Sequence, residues 1–355
     1  MTIKVLVIDD SALIRQVMTE LLSRDPGITV VGTAPDPIIA RDKIRQLAPD
    51  VLTLDIEMPR MDGLSFLERL MTVRPMPVLV VSSLTQRGTD TALRALELGA
   101  IDYVPKPLAD IRDGMVALGR MLVEKVKAAA VSRPRPRQAA SLAPVPLQVD
   151  AAHSTAGDII AIGASLGGVE ALHRFMAQVP AGAPAMLVTQ HMPPGFTATF
   201  AKRLDERCAM AVLEATDGRR VLPGHAYIAP GARHLELARD GAHYVCRVHD
   251  GPRVSDHKPS VDALFHSVAR AARTRATGVI LTGMGRDGAE GLLAMRRGGA
   301  RTFGQSEASC VVYGMPRAAM ELGAVETEAS LERLPALVLQ AQQGAALAPA
   351  LRQAG

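Results

Sequence analysis

Val5-Leu-Val-Ile-Asp9-Asp10 is a four-residue apolar run that stops on two adjacent carboxylates. A continuous apolar run, unlike an alternating one, marks a strand covered on both faces. The pattern returns at Thr29-Val-Val31, Val51-Leu-Thr-Leu54, Val78-Leu-Val-Val81 and Ile101-Asp-Tyr-Val104. Between the runs apolar residues fall at helical spacing, as in Ala12-Leu-Ile-Arg-Gln-Val-Met-Thr-Glu-Leu-Leu22. Five such units predict a doubly wound parallel sheet, a (βα)5 domain over residues 1–128.

Residues 129–155 change character: Pro134, Pro136, Pro144 and Pro146 sit among Ala, Ser and Arg. Such a stretch cannot hold a helix and reads as a semi-extended linker. Alternation resumes over residues 156–345. Asp158-Ile-Ile-Ala-Ile162 leads to a helix from Gly167, Ala185-Met-Leu-Val-Thr189 to a loop and helix, and Gly278-Val-Ile-Leu-Thr282 to a helix from Gly288. This predicts a second α/β domain, Rossmann-like and doubly wound. Ala226-Tyr-Ile-Ala229 and His243-Tyr-Val-Cys-Arg-Val248 flank Gly and Pro turns and read as an antiparallel excursion. Residues 346–355 read as a frayed tail.

Composition narrows the function. Apolar residues make up 48%, enough for two cores, but aromatics only 3% with no Trp, which argues against stacking platforms for nucleic acid. No basic helix-turn-helix pattern appears either. Cys208, Cys246 and Cys310 are odd in number and widely spaced, and read as buried thiols in a reducing compartment. The first apolar run is too short for a signal peptide and ends in acids, and no stretch approaches the ~20 residues of a membrane helix. A cytoplasmic, monomeric protein without membrane insertion is expected. Residues 1–128 carry 16 Lys/Arg against 17 Asp/Glu, and residues 129–355 carry 24 against 19. Arg133, Arg135 and Arg137 supply much of that surplus; it reads first as a solvated linker and second as an attraction for an acidic protein surface.

Asp9 and Asp10 follow the first strand and Asp55 the third. In an open parallel sheet these carboxyl-side strand ends converge on one crevice. Three close carboxylates repel one another unless a cation lies among them, and oxygen ligands select a hard ion such as Mg²⁺. Lys106 follows the fifth strand and Ser82 ends the fourth, adding an ammonium and a hydroxyl. The set suits phosphoryl transfer onto Asp55. It resembles the receiver domain of bacterial response regulators, which has a flavodoxin-like fold. The resemblance implies that Asp55 accepts phosphate from a histidine kinase. It further implies that Asp10, Asp55 and the Glu57 carbonyl bind Mg²⁺ with Asp9 assisting, that Ser82 and Lys106 read the phosphoryl group, and that Tyr103 reorients.

Gly163-Ala-Ser165-Leu-Gly167 fits G-x-S-x-G between a strand and a helix, exposing Ser165 at a helix N-terminus where backbone N–H groups can stabilise an oxyanion. A phosphate loop would also need a Lys that is absent. His191 ends the next strand and Asp287 lies in a Gly-rich loop after a later one. A serine needs a base, and the imidazole needs a carboxylate to fix its tautomer. The order Ser165, His191, Asp287 differs from the Ser–Asp–His order of α/β-hydrolases. The motifs Ala161-Ile-Gly-Ala-Ser165, Gln190-His-Met-Pro193, His257-Lys-Pro-Ser-Val-Asp262, Leu281-Thr-Gly-Met-Gly285 with Asp287-Gly288, and Gln305-Ser-Glu-Ala-Ser-Cys-Val-Val-Tyr-Gly-Met-Pro316 resemble the chemotaxis receptor methylesterase family (CheB-type). By that resemblance Ser165 is nucleophile, His191 general base, Asp287 its orienter and the Met284 N–H a candidate oxyanion donor, with no cofactor in the esterase site. Leu166 departs from the Thr common in the family after the serine.

The resemblance implies a phosphorylation-activated serine hydrolase. It would demethylate glutamate γ-methyl esters, and deamidate glutamines, on methyl-accepting chemoreceptors. The two-domain layout suggests that the unphosphorylated receiver covers the crevice of Ser165. Two alternatives stay open: an inactive esterase fold that docks on receptors, and a hydrolase of a small soluble ester or amide.

Overall fold

The five N-terminal apolar runs form strands β1 (Ile3–Ile8), β2 (Ile28–Ala34), β3 (Val51–Asp55), β4 (Val78–Ser82) and β5 (Asp102–Pro105) in this computed structural model. It describes residues 2–58, 63–82, 85–106, 112–132 and 157–347. Arg133, Arg135, Arg137 and the linker prolines lie outside the described residues, as do residues 348–355 of the expected tail. The chain divides into two compact units, Met1–Ser141 and Leu142–Gly355.

In the first unit all strand pairs are parallel, in the order β2-β1-β3-β4-β5. Helices α1 (Ala12–Ser23), α2 (Pro37–Leu47), α3 (Gly63–Val73), α4 (Gln86–Glu97) and α5 (Arg112–Ala130) connect or follow them. Every residue of β3 and β4 is buried, as the unbroken apolar runs require. Local signals set the helix starts. The Asp36 carboxylate accepts from Ile38 N and Ile39 N at 2.9 Å, with Pro37 in the first turn, where its missing N–H costs no helix bond. An order of this kind reverses between β1 and β3, so the loops after them flank the crevice expected at a topological switch point.

The second unit holds a seven-stranded sheet, also wholly parallel. Its strands are β6 (Ile159–Ala164), β7 (Ala185–Gln190), β8 (Ala211–Glu214), β9 (His225–Ile228), β12 (Ala276–Ile280), β13 (Arg301–Gln305) and β14 (Thr327–Ala329). The order is β14-β13-β12-β6-β7-β9-β8. Helices α6 (Gly168–Met176), α7 (Phe196–Asp205), α8 (Val261–Ala271), α9 (Ala289–Arg297), α10 (Met315–Glu321) and α11 (Leu334–Leu347) complete the unit. Strand β6 lies between β7 and β12. Its carboxyl end is therefore the switch point of this sheet.

One expectation is corrected. Ala226–Ala229 is not antiparallel: Ala226, Tyr227 and Ile228 pair in parallel with β7 and β8. These three residues are completely buried, as a central parallel strand must be. The antiparallel excursion is instead β10 (His234–Asp240) with β11 (His243–His249), joined at Gly241 with φ +57°. Burial alternates along β11, with Tyr244, Cys246 and Val248 turned inward. Those residues pack in one core with Leu235, Leu237 and α8 residues Leu264, Phe265 and Val268. Truncating the fully buried Phe265 to Ala would cost about 3–5 kcal/mol.

Candidate active site

The receiver crevice follows from strand placement. Asp55 ends β3 completely buried, and the Lys106 ammonium donates to its Oδ2 at 2.7 Å. The loop after β3 turns back so that Glu57 N donates to Asp55 Oδ1 at 2.9 Å. Oxygens of Asp9, Asp10 and Asp55 lie within 4.8 Å of one another. Burial and the charge of Asp55 push the Asp9 carboxyl up to about 6. Its Oδ1 accepts from Ser11 N, while the buried Oδ2 has no hydrogen-bond partner. An unpartnered carboxylate oxygen among three acids is the donor chemistry of a hard divalent cation, so these residues fit Mg²⁺. Burial likewise raises the Asp55 carboxyl, against the lowering effect of the Lys106 and Glu57 hydrogen bonds.

Ser82 and Tyr103 occupy the neighbouring strands. Val81 is in register with Asp55, so Ser82 lies one residue beyond it; its Oγ donates to Gly88 O at 2.9 Å. Lys106 N donates to Ser82 O, tying the ends of β4 and β5 together. Tyr103 is buried, and Lys125 donates to its carbonyl at 2.8 Å while lying 5.0 Å from its ring centre.

In the second unit Ser165 leaves β6, His191 leaves β7 and Asp287 lies beyond β12, all around the switch point. Ser165 N donates to Thr282 O and His191 N to Ala164 O, which fastens the three strand ends side by side. His191 Nδ1 is 3.1 Å from Ser165 Oγ, and Nε2 is 2.8 Å from Asp287 Oδ2. An ionised Asp287 only accepts, so Nε2 carries the proton and Nδ1 is the acceptor facing the serine.

Asp287 is 1% exposed yet ionised, for a reason the sequence did not announce. It sits at the N-terminus of α8. Val261 N donates to Oδ2 at 2.7 Å, Asp262 N to Oδ1 at 2.9 Å and the capping Ser260 Oγ to Oδ1 at 2.8 Å. Burial works against the charge, but the His191 bond and these amides outweigh it and hold the carboxyl below its usual range. Glycines make the approach possible. Gly167 caps α6 at φ +74°, and a Cβ at Gly283 would meet Ser165 Cβ at 2.8 Å.

At the serine turn Ser165 N donates to Thr282 O and Gly168 N to Ser165 O, while among the described residues the Leu166 and Gly167 N–H groups engage no acceptor and stay available to an oxyanion. Among the described residues the Met284 N–H engages no acceptor, while its neighbour Gly283 donates to Val312 O. Residue 166 need not supply a hydroxyl to the turn. The buried Thr282 Oγ1 donates to Leu166 O at 2.9 Å and accepts from Val312 N at 3.0 Å, and Gln190 Nε2 donates to Ser165 O at 2.9 Å. Sequence reasoning assigned no role to Ser260, Thr282 or the Gln190 side chain. Their motifs were visible, but hydrogen bonds between strand ends far apart in the chain were not.

His257 stacks on His191, ring centres 3.9 Å apart and planes 9° apart. His191, His257 and Asp287 offer nitrogen and oxygen atoms within 4.8 Å. Parallel rings do not converge their in-plane lone pairs on one ion, and both Asp287 oxygens already accept twice. This geometry suits proton transfer better than metal ligation.

A phosphoacceptor-type crevice on one unit, with a linked serine, imidazole and carboxylate on the other, has the parts of a response-regulated serine hydrolase. The chain belongs to the CheB methylesterase family: residues 160–338 match the CheB methylesterase domain and residues 5–115 the response regulator receiver domain. The protein-glutamate methylesterase/protein-glutamine glutaminase of Escherichia coli (strain K12) is 58% identical over 323 residues, covering 91% of this chain and 92% of that one. The protein of the same name from Chromohalobacter salexigens is 56% identical over 340 residues, 95% of this chain and 96% of that one. The crystal structure of the Thermotoga maritima CheB methylesterase catalytic domain aligns with a TM-score of 0.51 at 34% identity, covering 52% of this chain and 98% of that one.

Proposed function

We propose that this chain is a phosphorylation-activated protein-glutamate methylesterase that also deamidates glutamine, acting on methyl-accepting chemoreceptors in the cytoplasm. The continuous Ser165–His191–Asp287 hydrogen-bond chain, in a member of this family, carries the reading. No helix among the described residues is long and apolar enough to cross a membrane.

Ser165 Oγ attacks the ester carbonyl as His191 Nδ1 takes its proton. The imidazolium is supported by Asp287, whose charge is held by the α8 amides. The Met284 N–H, which engages no acceptor among the described residues, is the candidate oxyanion donor. His191 returns the proton to the departing methoxide, giving methanol and a glutamyl ester of Ser165. Water, deprotonated by the same imidazole, then releases the carboxylate. With a glutamine side chain the leaving group is ammonia.

In the receiver, Asp55 is the phosphoacceptor, with a histidine kinase as donor. Asp9, Asp10 and Asp55, with the Glu57 carbonyl, would hold Mg²⁺, which neutralises charge on the phosphoryl group. Lys106 adds the ammonium already bonded to Asp55, and Ser82 and Tyr103 respond from the adjoining strands.

The test is methanol release from methylated receptor membranes, with and without Mg²⁺ and a small phosphodonor. Release that requires Ser165 and rises with phosphodonor only when Asp55 is present is expected. Turnover of soluble esters with no release from receptors would overturn the substrate assignment.

A further inference from the structure

The motif His257-Lys-Pro-Ser-Val-Asp262 contains Ser260 and the first residues of α8, which hold Asp287. His257 takes no part in the proton chain, yet its ring lies flat against that of His191, 3.9 Å away and 9° from parallel. We infer that His257 is a positioning residue for the reaction, a rigid platform that keeps His191 in the plane joining Ser165 to Asp287. This rests on the serine-hydrolase reading above.

The loop that carries His257 is tightly constrained. Ser255 and Asp256 both adopt positive φ, +49° and +64°, which side chains rarely tolerate without support. The support is visible. Val254 and His257 exchange backbone hydrogen bonds at 3.1 and 2.9 Å, closing the turn. Ser255 Oγ donates to Asp262 Oδ2 at 2.7 Å, and the other Asp262 oxygen accepts from Gly291 N at 2.7 Å. His257 Nδ1 donates to Ser255 O at 2.6 Å, which fixes the ring.

The chain of contacts runs from α9 through Asp262, Ser255 and His257 to the face of His191. Asp262 also follows Val261, whose amide holds Asp287. One short segment thus fixes both neighbours of the imidazole: the carboxylate at its edge and the surface beneath its plane. The hydrogen bonds to Ser165 and Asp287 act at the edge of the His191 ring and resist rotation about the line between them only weakly. A flat group against its face opposes that rotation. A misplacement near 1 Å in a catalytic group can cost about 10²-fold in rate.

The experiment compares His257→Phe, which keeps a flat ring, with His257→Gln, which is polar but has no ring. Full-length protein is assayed by methanol release from receptor membranes and by the rate of Ser165 labelling with a fluorophosphonate. A platform predicts that Phe stays within about threefold of wild type in both readouts, while Gln falls at least about tenfold in kcat and in labelling rate with KM little changed. Equal loss in both variants, a wild-type rate for Gln, or a defect confined to KM would overturn the platform. Wild-type protein that labels at Ser165 but releases no methanol would sink the receptor-substrate reading alone; the labelling rates of the variants would still decide the platform.

Discussion

Replacing Asp287 by Asn should damage both stability and chemistry, and by amounts the geometry sets. The carboxylate accepts four hydrogen bonds: from His191 Nε2 and Val261 N on Oδ2, and from Ser260 Oγ and Asp262 N on Oδ1. An amide keeps one acceptor oxygen. If its NH₂ takes the Oδ1 position it faces the Asp262 N–H; at the Oδ2 position it faces the Val261 N–H. A hydroxyl or an imidazole can reverse its role, but a backbone amide cannot, so each orientation leaves one buried donor unsatisfied. Such a donor costs about 1–3 kcal/mol, which for a unit of this size lowers its melting temperature by about 2–12 °C. The second orientation also drives the His191 proton to Nδ1, where it blocks acceptance from Ser165. In both orientations the charge that supports the imidazolium is gone. The expected fall in kcat is about 10³–10⁴-fold. Thermal unfolding of the full chain and methanol release measure the two effects. Ser165→Ala is the control: it should abolish turnover with little change in melting, because it removes a single hydroxyl whose hydrogen bond is to His191 Nδ1 and leaves no buried backbone donor unsatisfied. The penalty should also depend on pH. The folded carboxyl titrates below its unfolded value, so its stabilisation is complete above about pH 4–5 and lost as pH falls through the folded value. The melting difference between wild type and Asp287→Asn should therefore shrink on acidification. Unchanged melting at pH 7 together with activity within tenfold of wild type would refute the role given to Asp287.

Asp55→Asn should remove stimulation by a small phosphodonor; stimulation that persists in this variant would place the phosphoacceptor elsewhere. Gly163→Ala should destabilise the second unit by about 1–3 kcal/mol and depress esterase activity, because its Cβ would lie 2.1 Å from Val261 Cγ1 in the segment that anchors Asp287. A wild-type melting curve would show that α8 can move aside. Cys246 is buried but Cys208 only half-buried, against the expectation of three buried thiols; burial pushes the first up to about 12 and the second up to about 11, so iodoacetamide at pH 8 should modify both slowly, Cys246 the more slowly, until the chain unfolds. Rapid labelling of Cys246 in folded protein would contradict the buried, inert reading.

How much of this was legible in the chain depended on the range of the interactions. The receiver strands could be read because each is covered on both faces and its sequence is an apolar run; Val51–Asp55 and Val78–Ser82 are buried throughout. Where composition was mixed the reading weakened. Arg301–Gln305 and Thr327–Ala329 are strands of five and three residues that mix polar and apolar side chains, and neither is anticipated from the sequence. Ala226–Ala229 was assigned by the turns beside it, when its own unbroken burial was the better guide to a parallel partner. Ser165, His191 and Asp287 were found because strand ends in one sheet must meet. Which ring nitrogen faces the serine depends on how loops of different length arrive, and no local pattern encodes that.

Leu166 shows why residue-by-residue comparison with a family can mislead about chemistry. The absence of the family's hydroxyl at that position suggests a lost hydrogen bond beside the nucleophile. In the folded chain the bonds that shape the turn come from elsewhere: Thr282 Oγ1 holds the Leu166 carbonyl, Gln190 holds the Ser165 carbonyl, and Thr282 O receives the Ser165 amide. Together they join the ends of two neighbouring strands, at Thr282 and Gln190, to the turn, so the position of Ser165 is set by the sheet. Leu166 itself is 5% exposed. An apolar side chain there fills space without leaving a buried polar atom to satisfy, whereas a threonine would need a partner for its hydroxyl. The substitution is therefore compatible with an intact nucleophile and gives no support to an inactive binding module.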